Sequence, residues 1–193
     1  VVAGAGDTLK APLRGADQAN PLCASFEPIP RDPGENARSL AFILTFGKTR
    51  IADLGDLQWN VEHELVCPVN KLGAVDLYMT THHGTATSGS PQIVHALHPR
   101  VAIMNNGPRK GTMPKVVATL RATKSVAAIY QVHENVRPEP DTNTAKELIA
   151  NAGDKGEQCD AHYIKLNVNT TGESYSVSVP STGHVKSFPT KKK

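Results

Sequence analysis

Residues 40–56, LAFILTFGKTRIADLGD, carry the reading on which the fold of this chain turns. LAFILTF (40–46) is apolar on both sides and reads as a buried strand. Gly47 and Lys48 make a turn, and TRIAD (49–53) reads as the returning strand of a hairpin. The chain then breaks at LGD, where Gly55 lets the backbone turn sharply ahead of Asp56. A second stretch, VDLYMTTHHGTATSGSP (75–91), follows a strand at 74–80 with a loop of small and polar residues that carries His82 and His83. A third, PRVAIMNNGPRKG (99–111), adds a strand at 100–105 and a loop holding Asn105, Asn106 and Lys110.

Working outward, QWNVEHELV (58–66) has helical spacing and is stopped by Pro68. Ser90 is a cap for a helix over 91–98 whose first position is Pro91. A further helix is expected at 113–122, a strand at 126–132, and a short helix at 144–152 (TAKELIANA). HYIKLNV (162–168) and SYSVSV (174–179) read as two closing strands with a turn at 169–173. Helices alternating with strands predict an α/β fold, a mixed β-sheet with covering helices. Residues 1–36, interrupted by five prolines, read as an irregular linker or covering segment, and 183–193 as a flexible basic tail.

The chain has 21 Lys and Arg against 18 Asp and Glu, but four of the lysines lie in its last eight residues. Without them the body is close to neutral, which argues against tight nucleic-acid binding through many phosphate contacts. No apolar run approaches the roughly 18 residues of a membrane helix. Three cysteines, Cys23, Cys67 and Cys159, never form a CxxC pair, so a zinc knuckle is excluded. Cys23 and Cys67 pair if the opening segment folds back over the helix at 58–66; two separate thiols fit equally well. Export into an oxidising compartment is slightly favoured over a cytoplasmic location.

The chemistry-bearing groups sit at strand ends, where open α/β sheets bind ligands. Asp56 follows the hairpin and the His82–His83 pair follows the next strand. Carboxylate and imidazole together suit zinc, manganese or iron. Each also has a plainer reading: Asp56 as a cap of the helix at 58, the histidines as part of a polar loop.

Taken together, NARSLAFILTFGKTRIADLGD, VDLYMTTHHGTATSGSP and PRVAIMNNGPRKG resemble the second half of a metallo-β-lactamase-fold hydrolase. The resemblance is closest to the branch containing the hydrolase domain of DNA-uptake competence proteins. It covers about 36–114 well and 115–180 loosely. It implies the C-terminal half of an αββα sandwich and a metal-dependent hydrolase acting on phosphodiester or other ester bonds through a metal-activated hydroxide. It implies Zn2+ (or Mn2+), as two ions in the complete protein, with Asp56 as the bridging or single-metal ligand and His82 or His83 as ligand to the second ion, His82 being preferred. Asp53 is then second shell or structural, and Asn105, Asn106 and Lys110 face the substrate, unless they only form a polar turn around Gly107-Pro108.

The departures are specific. The HxHxDH motif that binds most of the family's metal is absent, and where competence-type members carry Gly-His-Pro this chain has Thr112-Met113-Pro114. Methionine neither donates a proton nor suits a hard ion. Two explanations follow. The chain is part of a hydrolase, inactive alone, whose partner is its missing N-terminal half or a complementing chain and whose substrate is a small molecule or phosphate ester. Alternatively, it is a non-catalytic binding or scaffold module that has lost its metal site.

Overall fold

The structure, a computed structural model, describes residues 1–153 and 159–191. Two very short strands, β1 (Ala3–Gly4) and β2 (Asp7–Thr8), form a hairpin near the start. The main sheet contains β3 (Phe42–Phe46), β4 (Thr49–Asp53), β5 (Leu77–Met79), β6 (Val101–Met104), β7 (Ala128–His133) and β8 (Ile149–Asn151), in that spatial order. β3 runs antiparallel to β4, and every later pair is parallel. The helices are α1 (Trp59–Val66), α2 (Pro91–Leu97) and α3 (Pro114–Ala122). A second, antiparallel sheet orders β9 (Lys165–Val168), β10 (Ser174–Val179) and β11 (His184–Pro189) as β11-β10-β9.

Strand alternation sorts the apolar residues onto two faces. Ala52, Tyr78, Ala102 and Met104 point to one side and pack with Leu65, Ile93, Leu97, Val117 and Leu120 of the helices. Leu77, Val101, Ile103 and Tyr130 point to the other and meet Tyr175, Val177, Val179 and Phe188 of the small sheet. The result is three layers, helices on a mixed sheet on a second sheet. The expected mixed α/β sheet with flanking helices is what the chain forms.

Several local signals act as anticipated. Ser90 Oγ accepts from the Ile93 amide at 3.3 Å, and Pro91 opens α2. Tyr78 and Met79 face opposite layers. Other expectations need correction. β3 is an edge strand, not a buried one: Leu44 is 53% and Phe46 51% exposed. Leu44 lies opposite Ile51, which packs toward the small sheet, so this face of β3 is the part of the main sheet that the small sheet leaves bare. TAKELIANA is not a helix. Lys146–Leu148 make one 3-10 turn and Ile149, Ala150 and Asn151 form β8, all three buried. Pairing with β7 overrides the helical propensity of an Ala- and Leu-containing segment.

The segment read as a tail from 183 carries β11, which pairs along the whole of β10. Beyond it the Lys191 amide donates to Asp76 Oδ1 at 2.8 Å, while Lys192 and Lys193 lie outside the described residues. Residues 1–36 are largely irregular and cover the helices. Val2, Ala3 and Ala16 are buried, and the Asn20 side chain donates to the Val66 and Gln92 carbonyls. That placement brings Cys23 to Cys67, and the two form a disulfide. Cys159 is free and exposed. A disulfide is consistent with an oxidising, extracytoplasmic setting. Among the described residues no helix is long and apolar enough to cross a membrane.

Candidate functional site

Three neighbouring parallel strands end on one edge of the main sheet. The segment after β4 carries Asp53, Gly55 and Asp56; the one after β5 carries His82 and His83; the one after β6 runs from Asn105 to Met113. Parallel register places these three connections side by side, so groups 26 and more residues apart in sequence meet.

Asp56 is held by its backbone. Gly55 has φ +56°, its amide is donated to Asp53 Oδ1 at 3.1 Å, and the Asp56 amide donates to Ser39 Oγ at 3.1 Å. A Cβ on Gly55 would come within 3.0 Å of the Leu40 carbonyl oxygen, so glycine is needed here for close approach as well as for its φ. α1 begins three residues later, and its N-cap position is Gln58, so Asp56 does not cap it. The Asp53 side chain, accepting from the Gly55 amide, closes the turn that carries Asp56.

His82 and His83 both adopt left-handed backbone conformations, with φ of +49° and +61°. Such conformations are unfavourable for non-glycine residues and persist only where the surroundings enforce them. Here the His82 amide donates to the Gly55 carbonyl at 2.9 Å, the Thr112 amide to the His83 carbonyl at 3.1 Å, and the Met113 amide to the Gly84 carbonyl at 2.8 Å. The loop rests on a buried base. Glu62 accepts from the Gly89 and Ser90 amides at 2.8 and 3.0 Å, while the Tyr78 hydroxyl accepts from the Thr81 amide and lies 2.5 Å from the Thr81 hydroxyl. Burial raises the pKa of Glu62 and of Tyr78.

The turn directs both imidazoles at one carboxylate. His82 Nε2 is 3.8 Å from Asp56 Oδ2, and His83 Nε2 is 3.6 Å from Asp56 Oδ1. These gaps exceed a hydrogen bond and are close to the roughly 3.4 Å between a nitrogen and an oxygen sharing one tetrahedral zinc. His83 Nδ1 lies 2.7 Å from the Asn105 carbonyl oxygen, which favours the tautomer with a proton on Nδ1 and leaves Nε2 free toward Asp56. His82 Nδ1 is buried and has no hydrogen-bond partner. Burial lowers the pKa of His82 against the pull of Asp56, which favours the neutral imidazole. The site therefore gathers one carboxylate and two imidazoles. Each histidine faces a different oxygen, and the three groups do not bring single ligand atoms within 4.8 Å of one another.

The remaining sequence candidates divide. Lys110 is exposed and contributes positive charge at His82, so it borders the site. Asn105 acts through its backbone carbonyl. Asn106 does not face the site: it is buried, donates to the His133 carbonyl at 2.8 Å and accepts from the Val132 amide at 3.1 Å, tying the β6 loop to β7. Ser39, Glu62, Asp32 and Gly111 were not singled out from sequence. Ser39 stands in the stretch that carries the family resemblance, and Asp32 adds negative charge near His82. Gly111 packs against the His83 backbone. Only the Gly in NNGPRKG was a local sign of such an approach.

Among the described residues a single group brings three potential ligand atoms within 4.8 Å of one another, Cys23, His63 and Cys67. It can coordinate a metal only when its two sulfurs are not bonded to each other, and here they are. No known protein family matches the chain, and no curated protein matches it.

Proposed function

We propose that this chain, taken alone, is a non-catalytic binding module on a metallo-β-lactamase-like sandwich, with a reduced metal centre at Asp56, His82 and His83. One observation carries this reading: the edge of the sheet gathers one carboxylate and two imidazoles, with Asp32 as a further negative charge near His82, and these groups do not bring three ligand atoms within 4.8 Å of one another. A pair of catalytic ions requires more protein ligands than this. Met113 stands where the related branch carries a histidine and adds none.

A second reading is favoured by one feature of the same site. Asp56 offers a separate oxygen to each imidazole, as a carboxylate shared by two ions would. With further His or Asp ligands supplied by another segment or chain, the site becomes that of a hydrolase of phosphate or other esters. A bound Zn2+ or Mn2+ would supply Lewis acidity and an activated water. In that setting Asp56 fixes the negative charge between the imidazoles, the Asn105 carbonyl orients His83, and Lys110 attracts an anionic ester. The bare face of β3, with Leu44 and Phe46, is where a complementing segment would bury apolar surface.

Metal content and turnover distinguish the readings. The purified chain is loaded with Zn2+ or Mn2+, desalted and analysed, then assayed with bis(p-nitrophenyl) phosphate. The binding-module reading expects at most one ion per chain, lost in Asp56→Ala, and no turnover. Two ions per chain with turnover that Asp56→Ala abolishes would establish the hydrolase instead. Metal binding unchanged in Asp56→Ala would overturn both.

A further inference from the structure

We propose that Cys23, His63 and Cys67 form a redox-gated site for a thiophilic divalent cation, zinc above all. The site is shut while the two sulfurs are bonded and opens when a dithiol reductant separates them. It stands apart from the Asp56 site, since α1 intervenes: Asp56 precedes its first turn, and His63 and Cys67 lie at its far end, about 10 Å along the axis.

The placement of the three groups is built into the fold. His63 and Cys67 are four residues apart at the end of α1, and the Cys67 amide donates to the His63 carbonyl at 2.8 Å, so the two side chains share a face. Cys23 comes from the 3-10 turn Pro21–Ser25. That turn is held over the helix end independently of the disulfide. The Asn20 side chain donates to the Val66 carbonyl at 3.4 Å and the Gln92 carbonyl at 3.0 Å, and the Gln92 side chain donates to the Leu22 carbonyl at 3.1 Å. Reduction therefore leaves Cys23 in place. Phe26 stacks on His63 with ring centroids 3.9 Å apart and planes 21° from parallel, which fixes the imidazole. The Asn20 amide nitrogen, 4.0 Å from Cys67 Sγ, supplies a donor that favours a thiolate.

Two sulfurs and one nitrogen select zinc over magnesium or calcium. The steps balance. A dithiol gives two electrons and two protons to the Cys23–Cys67 bond, leaving two protein thiols, and is itself oxidised to a disulfide. Zinc then displaces both thiol protons and takes the lone pair of neutral His63. Side-chain rotation at half-buried Cys23 provides the roughly 3.8 Å that two sulfurs keep on a tetrahedral ion. The fourth position is left for water or an added ligand.

Cobalt(II) chloride reports the site directly, because a thiolate-to-cobalt charge-transfer band cannot come from carboxylate and imidazole. It is titrated into the full chain carrying Asp56→Ala, first oxidised and then after a phosphine reductant. The expected result is no band when oxidised and one equivalent bound with the band when reduced. Cys23→Ser should abolish the band, His63→Ala should weaken binding at least about tenfold, and zinc should displace the cobalt. Circular dichroism of the reduced chain before metal addition shows whether it is folded; if it is not, zinc should restore the native spectrum. Absence of the band in the reduced protein, binding indifferent to His63→Ala, or an unfolded reduced chain that zinc does not restore would each overturn the proposal.

Discussion

Gly111→Ala tests how the histidine turn is held. Gly111 is buried with φ +82°, and a Cβ there would land on the His83 carbonyl oxygen, well inside van der Waals contact, and 2.9 Å from both its carbonyl carbon and its Cβ. The left-handed backbone costs alanine about 1–2 kcal/mol. Relieving the overlap requires the 105–113 loop or the His83 backbone to move, about 1–3 kcal/mol more for a well-packed position. Movement also threatens the bond from the Thr112 amide to the same carbonyl, 3.1 Å long and worth about 1 kcal/mol. The total expected loss is about 3–6 kcal/mol. Gly107→Ala is the control in the same loop: its nearest contact is Lys110 Cβ at 3.8 Å, an ordinary distance, and no positive φ is required. Urea denaturation of both variants gives the stability difference, and zinc titration reads the site, where a displaced His83 should weaken binding about 10–100-fold. If Gly111→Ala matches Gly107→Ala in both measurements, the argument that this loop clamps the turn is wrong.

Other expectations follow from the same contacts. The Cys23–Cys67 bond spans 44 residues, so the chain-entropy relation gives about 4 kcal/mol of stabilisation; the Cys23→Ser/Cys67→Ser variant should melt about 8–16 °C lower, and a shift under about 3 °C would contradict that account. Glu62→Ala strips the acceptor from the buried Gly89 and Ser90 amides, and urea denaturation should show a loss of about 2–6 kcal/mol. Burial holds the Lys191 ammonium down at about 8 from an ordinary 10.5. The unfolded chain then binds more protons between those values, so stability should rise with pH across that window. Lys191→Met should remove the slope, as read by denaturation midpoints at pH 8 and 10.5.

What could be read locally was read from local causes. TRIAD is a strand because β-branched and alternating residues leave a Gly-Lys turn, and it forms at Thr49–Asp53. Ser90-Pro91 starts a helix because one side-chain oxygen and one fixed φ suffice to do so. Asp56 and the His82–His83 pair stood out because glycine-flanked polar residues followed apolar strands. Their convergence required the parallel pairing of β4 with β5, which no short stretch encodes.

The readings that failed are those settled by distant partners. Phe42–Phe46 looks central by composition, but whether a strand is an edge depends on what lies beyond it. Ile149–Asn151 has helical neighbours in sequence and becomes a strand because β7 offers an unpaired edge and a buried slot. His184–Pro189 looks like tail because its alternation is weak, and β10 recruits it through backbone hydrogen bonds that any sequence can make. Asn106, open in sequence between facing substrate and forming a polar turn, is drawn inward by backbone groups of β7. The sequence by itself determined which residue types stand at strand ends and where chain direction changes, since those depend on near neighbours. Tertiary structure alone decided which oxygen of Asp56 faces which imidazole, and that Cys23 reaches Cys67, because both depend on packing distances set by the whole fold.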